Sequence, residues 1–93
     1  MRTAPEAPFR ATEETILERL KNRLLRSELN RVAEVELTAP VRRAANEAAA
    51  LAWETTVPLL VFPALFEEKV RTALGQAARQ AAIRERSREL LAA

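Results

Sequence analysis

The sequence predicts an all-α fold: a three-helix hairpin or bundle, two helices long and the middle one short and alanine-rich, assembled as an oligomer. Three observations carry this expectation. Large apolar residues recur at steps of three and four through residues 16–35. Nineteen of the 93 residues are alanine, the strongest helix former, against a single glycine. The prolines at 40, 58 and 63 fall between periodic runs, where helices start or stop. A chain this short holds one domain at most, and no repeat of solenoid period is present.

Residues 1–11 read as a flexible tail, because Pro5, Pro8 and scattered alanines offer little to bury. Phe9 is the side chain there that would pin the tail to the body. Residues 12–93 form the helical domain. Its first helix is expected over 12–37: Thr12 is a good N-cap, and Glu13 and Glu14 sit where the helix dipole favours negative charge. Ile16, Leu17, Leu20, Leu24, Leu25, Leu29, Val32 and Val35 form an apolar stripe broader than a strict a/d seam. Glu28 and Arg31, three apart, are placed to form an ion pair.

Pro40 suits the first turn of a second helix, expected over 40–55. Its apolar side is Val41, Ala44, Ala45, Ala48, Ala49, Leu51 and Ala52. Such small side chains let a partner helix approach closer than the usual 8–10 Å. Trp53 is the large exception, read as a core or interface anchor, with a stacking platform for a ligand as the alternative.

Thr55-Thr56-Val57-Pro58 ends that helix, because the residue before a proline is driven out of the helical region. Residues 56–62 therefore read as a buried, proline-containing connector, and the third helix as running from Pro63 to 91. The run Val57 to Phe66 is the densest apolar stretch in the chain. Connectors are normally polar and lie on the surface, so this one needs a cover. The interface with that cover is expected at Trp53, Leu59, Leu60, Phe62, Leu65 and Phe66. Gly75 lies mid-helix, where it costs about 1 kcal/mol relative to alanine unless a neighbouring helix crosses closely.

Composition removes most chemistries. There is no histidine, cysteine, aspartate or tyrosine, so no imidazole base, thiol nucleophile or zinc site of the usual N/S kind is available. Glu47 and Glu54, seven apart, share a helical face, but di-metal bundles add Glu-x-x-His motifs that this chain lacks. Glu54 is better read as a partner for Arg42, Arg43 or Arg71. One glycine cannot build a phosphate-cradling loop. The expectation is no enzyme, no catalytic residue, no metal and no cofactor.

Lys+Arg 15 against Asp+Glu 13 gives a net charge of only +2, and no segment is strongly polarised. Arg79, Arg84, Arg86 and Arg88 form a local basic cluster that would contact phosphates if the chain bound nucleic acid. Aromatic interleaving is absent from it. Residues 48–66 hold a single charge, Glu54, but their bulky part is short against roughly 30 Å of hydrocarbon. Without an apolar secretory segment at the amino end, the location expected is the cytoplasm, and the alanine- and arginine-rich usage suggests a bacterial source. The function expected is a non-catalytic structural or interaction protein, a homo-oligomeric assembly or adaptor subunit. A small nucleic-acid-associated protein and a membrane-surface helical protein are the two alternatives.

Overall fold

The computed structural model describes residues 6–92, with side chains from Arg10 onward. The tail residues 1–5 and the contact expected of Phe9 lie outside what is described. The architecture is all-α: α1 (Glu6–Arg31), a 3-10 turn (Val35–Leu37), α2 (Thr38–Trp53) and α3 (Pro58–Ala92). Among the described residues there is no strand.

Three boundaries differ from expectation. The first helix begins at Glu6 and therefore takes in half of the supposed tail. Pro8, the third residue of that helix, is compatible with this because the N–H groups of a first turn have no intrahelical partner to lose. The same helix stops at Arg31 rather than running to Leu37. Had it continued, the Pro40 ring would have met the carbonyl of Glu36. The chain turns first, with Glu34 extended at φ −86°, ψ 129°, and Pro40 becomes the third residue of α2.

The third difference is the largest. Residues 58–62 are not a connector but the opening turns of α3, and Pro63 sits inside that helix. The true link between α2 and α3 is Glu54–Val57. Thr55 closes it: its Oγ1 donates to the Ala52 carbonyl at 2.7 Å and accepts from the Val57 N–H at 3.2 Å. Such hydroxyl-to-backbone bonds replace the ladder that the helix end has given up. Pro58 takes the first helical position, where its missing N–H costs nothing, and the Val57 carbonyl accepts from Leu60 and Val61 at 3.0 and 3.2 Å.

The helices run up, down and up. Arg10 meets Trp53 and Lys21 Nζ donates to Asn46 Oδ1 at 3.0 Å, so α1 and α2 run antiparallel, and the four-residue link at 54–57 with the Lys69–Glu47 pair at 3.8 Å folds α3 back along α2. The core is Leu17 and Leu25 of α1, Val41, Ala44, Ala45, Ala48 and Ala52 of α2, and Phe62, Phe66 and Val70 of α3. The alanine face of α2 is thus largely buried as expected, with Ala49 half-buried, but Leu51, expected on the same face, is exposed at 41%; the bulk of the core comes from α3. The predicted α1 stripe is used in part: Ile16 and Val35 stay exposed. The Glu28–Arg31 pair forms at 3.5 Å.

Gly75 has no close helix over it. A Cβ there would meet only the Arg79 guanidinium at 3.8 Å, ordinary van der Waals contact. Glu54 makes no ion pair among the described residues, while Arg71 pairs with Glu67 at 3.8 Å.

Candidate functional site

α3 has 35 residues and α2 has 16. At 1.5 Å per residue they are about 52 and 24 Å long. Because they start from a shared turn and run antiparallel, α3 outruns its partner by more than half its length. The last residues of α3 to be partly covered lie at Ala73–Gly75 and Ala77, and from Ala78 to Ala92 every side chain is exposed. The extension is helical without tertiary support. Its residues are mainly Ala, Arg, Gln, Glu and Leu, all good helix formers, and it elongates an existing helix and needs no nucleus of its own.

The extension carries Ile83, Leu90 and Leu91, 63%, 73% and 87% exposed. It also carries Arg79, Arg84, Arg86 and Arg88, which the helix divides into two pairs. Arg79 and Arg86 line a shallow apolar depression with Ala82, Ile83 and Leu90. Arg84 and Arg88 line a different feature, an open groove of about 1090 Å³. The four arginines therefore make no continuous basic stripe. Arg88 donates to Glu85 at 2.6 Å, whereas Arg79, Arg84 and Arg86 make no ion pair among the described residues.

One wall of that groove is the α3 face from Lys69 to Arg88, floored by Ala73, Ala77 and Ala81. The other is the corner between α1 and α2, which contributes Glu34, Glu36, Leu37, Pro40, Arg43 and Glu47. Glu47 is engaged by Lys69. Glu34 and Glu36 are exposed and make no ion pair among the described residues. The corner is thus a net acidic wall facing a basic helix end, across a floor of small side chains.

The six residues expected at an interface are mostly consumed by the chain's own core. Phe62 and Phe66 are buried and their rings meet at 5.7 Å between centroids, tilted by 39°. Trp53, Leu59 and Leu65 are half-buried against the same core. Leu60 alone of the six faces outward, at 76% exposure. Within the run Val57 to Phe66 the chain's own core covers Pro58, Phe62 and Phe66, whereas Val57 and Leu60 stay exposed.

Trp53 has a partner that the sequence did not disclose. The Arg10 guanidinium lies over its ring, 3.6 Å from the centroid, donates to the Trp53 carbonyl at 3.5 Å, and pairs with Glu13 at 3.6 Å. This closes the end of the bundle opposite the groove. Arg10 went unnoticed because it was assigned to a tail. A guanidinium one turn before Glu13 was the available signal.

Among the described residues no helix is long and apolar enough to cross a membrane, and no three acidic residues cluster as a metal site would require. No family model, no curated protein and no solved structure matches this chain.

Proposed function

We propose that this protein is a non-catalytic helical interaction module that works by assembling with itself, α3 beyond Ala77 being its docking element. The observation that carries the reading is the extension itself. It is fifteen residues of helix in which every side chain is exposed, presenting Ile83, Leu90 and Leu91 to solvent and forming part of one wall of the open groove. An unsupported helix of this kind adds little to the stability of the domain that bears it. Its bulky apolar side chains gain only when a second surface covers them. The composition agrees, since a chain with no His, Cys or Asp has few groups for acid–base or nucleophilic work.

Self-assembly is favoured over nucleic acid by the charge layout. A phosphate backbone laid against Arg84 and Arg88 would also face Glu34 and Glu36 across the groove. Light scattering over a range of concentrations tests the reading. The mass should rise above the 10.4 kDa of one chain as concentration increases. A mass fixed at one chain throughout would contradict it.

A further inference from the structure

The first turns of α1 are held differently from the rest of that helix. The core takes its α1 side chains from Leu17 onward. From Arg10 to Ile16 no side chain is buried, and only Glu13 is partly covered. Thr12 and Thr15 are weaker helix formers than alanine. The Thr15 Oγ1 donates back to the Ala11 carbonyl at 3.1 Å, a bond that slightly destabilises a helix. Burial does not hold this segment to the bundle.

Arg10 does. Its guanidinium reaches the last residue of α2, stacking on the Trp53 ring and donating to the Trp53 carbonyl. Every other hydrogen bond or ion pair made by the side chains of residues 10–16, among the described residues, stays within α1.

The end of α2 is built to receive a cation. The last carbonyls of a helix lack intrahelical donors. The N–H that would reach the Trp53 carbonyl, that of Val57, is taken instead by Thr55 Oγ1. Arg10 is therefore the partner this carbonyl has among the described residues. The last turn of α2 holds no basic residue, and Glu54 follows it, placing negative charge at the negative end of the helix dipole. The missing positive charge comes from another helix.

We propose that residues 10–16 are a strap that Arg10 latches onto the end of α2, opening as a unit while the bundle from Leu17 onward stays folded. Opening uncaps α2 and bares the face of the Trp53 ring, so the start of α1 and the end of α2 loosen together. Local openings of this kind cost less than global unfolding wherever few apolar contacts are lost. None of these residues lines the groove, so the proposal stands apart from the self-assembly reading.

Amide hydrogen exchange and Trp53 emission, measured on the full chain, test it. Arg10→Ala removes the latch, and its side chain is 49% exposed, so no cavity is left and helical circular dichroism should persist. Arg19→Ala is the control, an exposed cation of the same helix without an ion pair among the described residues. A cation–π contact at an exposed site is worth a factor of about two to five in an equilibrium constant. In Arg10→Ala, the amides of residues 14–16 should exchange faster by about that factor. Those of Glu54 and Thr55, bonded to the Leu51 and Ala52 carbonyls, should accelerate with them. Emission of the single tryptophan should shift to the red, and amides from Ala44 to Ala48 should keep the parent's rates. Unchanged exchange at 14–16 would overturn the latch, and acceleration there alone would overturn its link to α2. Equal acceleration in the core, or lost circular dichroism, would show that the segment unfolds only with the whole and would overturn the separate opening. The same response in Arg19→Ala would overturn the role given to the Trp53 contact.

Discussion

Phe62 and Leu60 stand two positions apart on α3 and have opposite environments. Phe62 is fully buried against Phe66 and the alanine face of α2, whereas Leu60 is turned to solvent. Truncation of Phe62 removes an aromatic ring from a close-packed site, and Phe62→Ala should cost about 3–5 kcal/mol. That is much of the roughly 5–15 kcal/mol by which a domain is stable. Leu60→Ala should change stability by no more than about 0.5 kcal/mol, as surface substitutions do. Urea titrations followed by circular dichroism separate the two, and equal losses would contradict the assigned packing. The density of large side chains from Val57 to Phe66 was legible in the sequence. Which of them face inward was not, because that depends on where α1 and α2 lie around α3. The Arg10–Trp53 contact was hidden for a related reason. It joins residues 43 positions apart, and local composition made Arg10 look like part of a tail.

At the scale of the elements, the two prolines at the head of α3 explain both what the sequence discloses and what it conceals. Pro58 and Pro63 each fit the first turn of a helix, so local rules leave two possible starting points. The choice is made by packing. Starting at Pro58 puts Phe62, Phe66 and Val70 on one face at steps of four, and all three are buried. A start at Pro63 would have left Phe62 outside the helix. The cost is a proline in the second turn, where it withholds an N–H from the Leu59 carbonyl. Pro63 is exposed, so replacing its ring leaves no cavity. Pro63→Ala should therefore stabilise the protein, by about 1 kcal/mol and at most the ~3 kcal/mol cost of an interior proline. Thermal unfolding checks this: a lowered Tm would mean that the ring has a packing role. The all-α class, the three helices and the alanine face of α2 could all be read from periodicity and composition. The end of α1 could not, since its apolar stripe continues to Val35 while the helix stops at Arg31.

At the scale of the whole molecule, the chain is elongated. Its radius of gyration is 18.0 Å, against roughly 12 Å for a compact domain of this length. The excess comes from α3, whose outer fifteen residues contribute nothing to the core. Removing them should leave the bundle standing, because every buried residue lies at or before Val70. If the extension is the assembling element, removal should also abolish self-association. Sedimentation equilibrium on the full chain and on a chain ending at Ala77, with thermal unfolding of both, tests this most directly. The expected result is a concentration-dependent dimer for the full chain and a folded monomer, with nearly unchanged Tm, for the shortened one. A shortened chain that still dimerises, or a full chain that never does, would contradict it.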